Sequence, residues 1–176
     1  MDNYGQFYRE GQPAGKADAD IDSPEAWDLT TGSPDVRIAI LDSGADQDLD
    51  KGLQKNFTDS TTVDDLYGHG THMAGTAAAQ INNDSAVGYS SWVAQGIRWA
   101  TDTGGAKVIN MSLGVGKSRT LQDAVDYAWS KDVVVVAAAG NGNNTAGVYP
   151  ARYTHVLGVA ATDPDDKKTS ISSYST

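Results

Sequence analysis

The sequence predicts an α/β protein with a parallel sheet that helices cover on both faces. Segments with the composition of strands alternate along the 176 residues with segments that have the period of helices, as in parallel α/β folds. The strand segments are nearly continuous in apolar residues, which is typical of strands buried on both faces of a sheet. We find no internal repeat and no linker. We therefore expect one domain over residues 1–176, with residues 1–22 as a polar N-terminal arm.

Four segments are predicted as strands because apolar residues dominate them: residues 36–41, 108–111, 133–138 and 156–160. The first of them runs directly into Asp42. The carboxyl ends of parallel strands lie at one edge of the sheet, and open α/β sheets build their sites at that edge. The residues that follow each strand are therefore the first candidates for a functional site.

Four further segments are predicted as helices. The first begins at Ser23, an N-cap residue followed by proline at the first helical position, and Gly32 lies beyond its end. The second, residues 70–80, consists largely of small residues that let a helix approach its neighbours closely. The other two, residues 91–103 and 120–131, carry apolar residues with the spacing of one helix face.

The charge balance argues against nucleic acid as a partner. The chain has 13 Lys and Arg against 23 Asp and Glu, a net charge of −10, whereas phosphate binding needs clustered cations. The absence of cysteine excludes disulfides, thiolate metal sites and cysteine nucleophiles. No apolar run approaches the roughly 18 residues that a membrane helix needs. The N-terminus is polar from the second residue, so we expect no signal peptide within residues 1–176, although a signal and pro-segment removed beforehand would leave the same sequence.

Asp42 and His69 are the first pair of residues with a chemical interpretation. A buried carboxylate can hold an imidazole in one tautomer and stabilise the imidazolium that forms when the ring accepts a proton. Such a pair is the general-base half of a serine-nucleophile triad. Taken singly, an Asp at a strand end is more often a turn or cap residue, and a lone His is more often structural or solvated. The flanking residues decide between these interpretations.

Residues 149–151 and 162–174 look like thermitase-like members of the subtilisin-like serine proteases (subtilases). Two motifs around Asp42 and His69 resemble the same family. They are IAILDSG at residues 38–44 and GHGTHMAG at residues 68–75, in the family's order of Asp before His. The resemblance implies a subtilisin-like fold and hydrolysis of peptide bonds through an Asp–His–Ser triad. It makes Asp42 the orienting acid, His69 the general base and His72 a buried structural histidine.

Two downstream motifs extend the resemblance: VINMSLG at residues 108–114 and VVAAAGN at residues 135–141. In the family the first pairs with the substrate backbone, and the second forms the S1-pocket strand and ends in the oxyanion asparagine. An amide donor aimed at a developing oxyanion strengthens its hydrogen bond in the transition state. The implied substrate-binding and oxyanion residues are Ser112, Leu113, Gly114, Ala139, Gly140 and Asn141. Without the other motifs, Asn141 would be a loop residue in a turn rich in Asn and Gly.

The resemblance also implies a Ca²⁺ site built from oxygen ligands, which this hard cation prefers. The matching side chains are Asp2, Asp48 and Asn83, and the matching backbone carbonyls are those of Ile81, Ser85 and Val87. This sequence lacks the His-Pro pair that usually precedes the second acid. The alternative is a solvated, Asp-rich surface.

A zinc site is another alternative for the same histidines. His69 and His72 form an H-x-x-H pair, with Asp42 as a conceivable third ligand. Zinc hydrolases usually use two His at i, i+4 together with a catalytic Glu. No Glu lies near this motif, which favours the triad interpretation.

The resemblance is interrupted at two places. After Gly88 the chain continues directly with the start of the next helix, so a family segment that carries a core strand and one wall of the cleft has no counterpart. The chain also stops before the family's Gly-Thr-Ser nucleophile motif. The serines near its end lack that context; they are Ser170, Ser172, Ser173 and Ser175.

We therefore predict a truncated subtilase catalytic domain, a serine endopeptidase whose nucleophilic serine is missing from this chain. The resemblance implies a peptide or protein substrate and a secreted, extracellular location. A complementing C-terminal fragment or a pro-segment would be a further partner. One alternative is a catalytically dead domain that binds peptides or serves as a scaffold. Another is a stable fold with a structural role, in which Ca²⁺ is incidental.

Overall fold

The computed structural model describes residues 23–45, 53–78 and 89–174 of the chain. In these ranges the predicted helices and strands are confirmed, with bounds that differ by a few residues. The elements in chain order are α1 Ser23–Leu29, β1 Ile38–Ile40, α2 His69–Ala78, α3 Ser90–Asp102, β2 Val108–Met111, α4 Arg119–Trp129, β3 Val134–Ala138 and β4 Val156–Val159. The predicted N-terminal arm lies outside the described residues.

The four strands form one parallel sheet in the order β1-β2-β3-β4. Ile40 of β1 pairs with Asn110 of β2, and Asn110 pairs with Val136 of β3. Because the strands are parallel and in this register, their carboxyl ends lie at one edge of the sheet. The candidate residues Asp42, Ser112 and Ala139 follow the ends of β1, β2 and β3 at that edge.

Helices α3 and α4 cover one face of the sheet. Helix α4 begins at the N-cap Ser118, whose side chain accepts a hydrogen bond from Leu121 N at 3.4 Å. The apolar stripe of α4 is buried against α3 and β3. The buried core that results contains Ala94, Ile97, Ala100, Ala106, Ile109, Met111, Leu121, Ala124, Val125, Ala128, Val133, Val135, Ala137 and Tyr153.

Helix α2 lies on the other face of the sheet, at the end of β1. Side chains alternate along a strand, and Leu41 packs on the core side against Gly96 of α3. Asp42 therefore points to the opposite side, where it meets α2. The subtilisin-like arrangement with helices on both faces is confirmed.

Much of the face that α2 shares is open and apolar. Ile38 is 49% exposed, Val134 46%, Leu157 61% and Val159 49%. Contiguous exposed apolar residues are typical of interaction surfaces and of surfaces prone to aggregation. Within the described ranges, β1 has no strand on its far side, so it lies at the edge of the sheet.

No helix in residues 23–45, 53–78 and 89–174 is both long enough and apolar enough to cross a membrane.

The contrast between the two faces gives a first prediction, with two leucines as a matched pair. Leu121 is fully buried in α4, whereas Leu157 is 61% exposed on β4. We expect Leu121→Ala to lower the free energy of unfolding by about 2–5 kcal/mol, because removal of the buried methyl groups leaves a cavity in the core. We expect Leu157→Ala to change it by about 0.5 kcal/mol or less. Urea denaturation followed by circular dichroism measures both, and equal losses would contradict the assignment of faces.

Candidate active site

Asp42 and His69 form a close hydrogen bond at the carboxyl edge of the sheet. His69 Nδ1 donates to Asp42 Oδ1 at 2.5 Å. The Asp42 side chain is 5% exposed and the His69 side chain 26%. Ser43 N also donates to Asp42 Oδ1, at 2.8 Å. One ring nitrogen of His69 is thus bound to a buried carboxylate, while the residue keeps contact with solvent.

This geometry suits a general base. A carboxylate that holds Nδ1–H fixes the imidazole in the tautomer whose Nε2 accepts a proton, and it stabilises the imidazolium that results. Asp42 Oδ2 is buried and has no hydrogen-bond partner among the residues that the structure describes. In the described part of the chain, the His69 ring is the one titratable side chain that is hydrogen-bonded to this carboxylate. The structure brings together the two residues that the sequence paired.

The close approach of α2 to the end of β1 requires glycine at two positions. A Cβ on Gly70 would overlap the carbonyl oxygen of Gly44, and it would lie 3.1 Å from the Cβ of Asp42. Gly44 has a φ of +137°, and a Cβ there would lie 2.8 Å from Val63 O. Gly44 and Gly70 are therefore required because they lack a side chain, which lets the helix that begins at His69 pack against the strand end that carries Asp42.

Asp65 is a functional candidate that the sequence reasoning missed. It accepts hydrogen bonds from the hydroxyl groups of Ser43 and Thr71, both at 2.8 Å. It also accepts from the backbone N–H of Tyr67, Gly68 and Thr71, at 3.0, 2.8 and 2.7 Å. An acid four residues before a predicted catalytic His, at the start of its helix, was the signal available in the sequence.

These hydrogen bonds keep the Asp65 carboxylate ionised. Burial alone would raise its pKa, but the donors, Thr71 N first among them, outweigh burial and lower the pKa to about 2. The folded-state pKa is below the value of 3.8 for an unperturbed Asp, so the carboxylate stabilises the folded state above that pH. This stabilisation is lost as the pH falls through about 2.

The predicted peptide-binding residues follow the ends of β2 and β3. Ser112 and Leu113 are half-buried and Gly114 is exposed, and Ser112 Oγ accepts a hydrogen bond from Asn110 Nδ2 at 3.1 Å. Ala139 and Gly140 are half-buried beyond the end of β3. These residues lie at the same edge of the sheet as Asp42.

Asn141 is exposed in a loop that the chain's last described segment fastens. Ser173 N donates to Gly140 O at 2.7 Å, and Ser173 Oγ accepts from Gly142 N at 3.1 Å. Asn143 N donates to Ile171 O at 2.8 Å. The backbone on both sides of Asn141 is thus held while its side chain remains accessible.

The serines near the end of the chain have structural roles where the structure describes them. Ser172 and Ser173 are 1% and 2% exposed. The Ser172 hydroxyl accepts from Ala161 N at 2.9 Å and donates to Ser173 O at 3.0 Å. Ser170 is exposed. Ser175 lies outside the described residues.

Neither metal site gains support from the structure. The predicted calcium ligands all lie outside the described residues; they are Asp2, Asp48, Ile81, Asn83, Ser85 and Val87. Within the described ranges, no three His, Cys, Asp or Glu side chains converge as a metal site would require, so Asp42, His69 and His72 do not form the zinc alternative. His72 Nδ1 is buried and has no hydrogen-bond partner in those ranges.

A family model described as the subtilase family, peptidase S8, matches residues 33–176 of the chain. The chain belongs to the subtilase family. Thermitase from Thermoactinomyces vulgaris is 43% identical over 182 residues, an alignment that covers 88% of this chain and 64% of thermitase. The alignment is longer than the 176-residue chain, so it includes positions that this chain lacks. A missing segment like the one predicted after Gly88 would produce aligned positions of this kind.

Two solved structures share the fold of this subtilase. Sphericase superimposes with a TM-score of 0.60 at 32% identity, over 74% of this chain and 54% of sphericase. The prenylagaramide maturation protease PagA superimposes with a TM-score of 0.67 over 87% of this chain and 63% of PagA. At 23% identity, PagA shows the shared fold alone. The chain spans less than two thirds of the length of thermitase and of both solved structures.

The contact between Gly70 and Gly44 gives a second prediction. We expect Gly70→Ala to lower the free energy of unfolding by about 1–3 kcal/mol, because the added Cβ overlaps backbone that cannot move aside cheaply. A Cβ added at Gly116 would meet no other atom within 4 Å, so Gly116→Ala is the matched control. We expect it to be neutral or slightly stabilising. Thermal unfolding of both variants tests this. If Gly70→Ala left the free energy of unfolding unchanged, α2 would not pack against the end of β1 as closely as the structure shows.

Proposed function

We propose that this chain supplies most of the catalytic machinery of a subtilisin-like serine endopeptidase. In this proposal Asp42 orients His69, and His69 takes the proton of a serine hydroxyl and later returns it to the leaving amine. The observation that carries the proposal is the 2.5 Å hydrogen bond between His69 and a buried Asp42, at the carboxyl edge of a parallel sheet. The family membership supports the same reaction.

Asn141 and the strand ends have the substrate-binding roles in this proposal. Asn141 donates its side-chain amide to the developing oxyanion. The segment Ser112, Leu113 and Gly114 pairs with the backbone of the peptide, and Ala139 and Gly140 line the S1 pocket. Their common position at the edge that carries Asp42 supports these roles, since a bound peptide would cross that edge.

The nucleophilic serine, in this proposal, comes from a complementing segment of a subtilase catalytic domain. Thermitase is longer than this chain, which spans 64% of it. The open apolar face beside α2 offers a surface on which such a segment would bury Val134, Leu157 and Val159. A pro-segment is the other predicted partner. The family resemblance also supports an extracellular location.

A catalytically dead, peptide-binding subtilase is the second candidate. The observation that favours it is the use of Ser172 and Ser173 as buried hydrogen-bonding residues, which leaves neither available as a nucleophile. Such a domain would keep the peptide-binding edge and would bind peptides without cleaving them.

Fluorophosphonate labelling of the natural material with intact mass spectrometry separates the two candidates. The reagent reacts with a serine that a general base activates. We expect a labelled species heavier than the 18.5 kDa of this chain, because that species contains the complementing segment. An unlabelled species of 18.5 kDa that binds peptides would favour the non-catalytic alternative.

Variants of the labelled species identify the residues that act. Asn141→Ala should lower kcat by about 10²–10³, the loss measured for the oxyanion asparagine of subtilisin. His69→Ala should lower it by about 10⁶, as for the base of subtilisin. Asn143→Gly is a control in the same loop, because Asn143 is exposed and its φ of +46° suits glycine. A loss of the same size for Asn143→Gly would contradict the role of Asn141.

We also propose a Ca²⁺ ion bound by the predicted ligands, which include the side chains of Asp2, Asp48 and Asn83. Their support is chemical: carboxylate and amide oxygens are the donors that Ca²⁺ takes in proteins. A specific site stabilises the folded state by about 2.7 kcal/mol when free Ca²⁺ is 100 times its Kd.

Thermal unfolding of the natural material with and without a chelator tests the calcium site. We expect chelation to lower the Tm by roughly 5–10 °C and Asp48→Asn to abolish most of that difference. Asp166→Asn, at an exposed turn, should keep it. A Tm that does not respond to chelation would overturn the site.

A further inference from the structure

Ser43, which follows Asp42, and Gly70, which follows His69, are hydrogen-bonded to each other, and the carboxylate of Asp65 is hydrogen-bonded to Ser43. Asp65 Oδ1 accepts from Ser43 Oγ at 2.8 Å, and Ser43 directly follows Asp42. Ser43 Oγ in turn accepts from Gly70 N at 3.0 Å, and Gly70 directly follows His69. The hydroxyl of Ser43 thus links the residue after the acid, the residue after the base, and Asp65.

We propose that Asp65 is a positioning residue that sets the distance and orientation between Asp42 and His69. The inference rests on the proposed function of that pair and deepens it. The five hydrogen bonds that Asp65 accepts in the described part of the chain come from residues other than Asp42 and His69. It acts through the Ser43 hydroxyl and through the backbone around His69.

The backbone on both sides of His69 is bonded to Asp65. Gly68 N, immediately before His69, donates to Oδ1 at 2.8 Å, and Thr71 N, two residues after it, donates to Oδ2 at 2.7 Å. These N–H groups belong to the first turn of α2 or precede it, where no intrahelical acceptor is available. His69 therefore stands on a helix start whose orientation Asp65 holds at several points.

The site requires a carboxylate in particular. Asp65 is the acceptor in all five of its hydrogen bonds: Oδ1 accepts three and Oδ2 accepts two. An ionised carboxylate accepts at both oxygens, whereas the amide of Asn accepts at one and donates at the other. In Asp65→Asn, the amide NH₂ would therefore face at least one backbone N–H donor in place of an accepting oxygen.

An ordinary helix cap would explain the bonds to Gly68 and Thr71, but it would not explain the bond to Ser43. That bond connects α2 to a different element, the end of β1. A cap affects the stability of α2, whereas the link to Ser43 affects the geometry of the pair. The two roles therefore predict different outcomes for the Asp42–His69 hydrogen bond in a protein that remains folded.

The test compares Asp65→Asn with Asp64→Asn in the 176-residue chain. Asp64 is the adjacent carboxylate, is also half-buried, and bonds to Thr62 rather than to α2. The readout is the far-downfield ¹H NMR resonance of the proton that His69 Nδ1 donates to Asp42. Asp42→Asn identifies this resonance by removing it.

We expect Asp65→Asn to abolish the resonance or broaden it beyond detection at a temperature where circular dichroism shows the chain folded. Asp64→Asn should leave it unchanged. A folded Asp65→Asn chain that keeps the resonance, with unchanged hydrogen exchange, would overturn the proposal and leave Asp65 as a helix cap. If Asp65→Asn does not fold, Ser43→Ala removes one hydroxyl and the whole cross-link, and it should weaken the same resonance.

A second readout separates this inference from the proposed function. In the species that fluorophosphonate labels, Asp65→Asn should slow labelling by roughly 10- to 100-fold, because misplacing a catalytic group by about 1 Å has that effect. Asp64→Asn should change the rate less than about twofold, the control expectation for a side chain outside the cross-link. If no species is labelled, the proposed function fails, while the resonance still decides the role of Asp65. If labelling occurs at an unchanged rate in Asp65→Asn, the positioning role fails and the function stands.

Discussion

The contact between the end of β1 and the start of α2 is the constraint on which the rest of this site depends. It brings Asp42 within 2.5 Å of His69, although the two residues are 27 positions apart in the chain. Gly44 and Gly70 make the approach possible because neither has a side chain, and Asp65 and Ser43 hold it with hydrogen bonds. Close packing and polar bonding thus act together at one place, where a general base needs a fixed orientation.

The two faces of the sheet differ in a way that follows from where the helices lie. On one face α3 and α4 bury a continuous apolar core. On the other, α2 contacts β1, and strand residues such as Leu157 and Val159 remain exposed. Apolar strand residues gain stability only when another layer covers them. The open face beside Asp42 and His69 is therefore the physical basis for proposing a complementing segment.

The loop after β3 holds Asn141, the proposed oxyanion donor, by hydrogen bonds in the same way. Its backbone would be costly to leave unpaired near the sheet, and the segment that contains Ser172 and Ser173 satisfies it. The hydroxyl groups of these serines are used for that purpose. Asn141 keeps an exposed side chain on a fastened backbone, which is the arrangement that a preorganised donor requires.

The sequence by itself determined the order of helices and strands, the family, and the pairing of Asp42 with His69, because apolar periodicity and two short motifs encode them locally. It also marked the strand ends that carry Ser112 and Asn141, since parallel strands share one carboxyl edge. Only the tertiary structure decided which face is open, because burial depends on what packs against a strand. Only it revealed Asp65, whose hydrogen bonds join segments that lie far apart in the sequence.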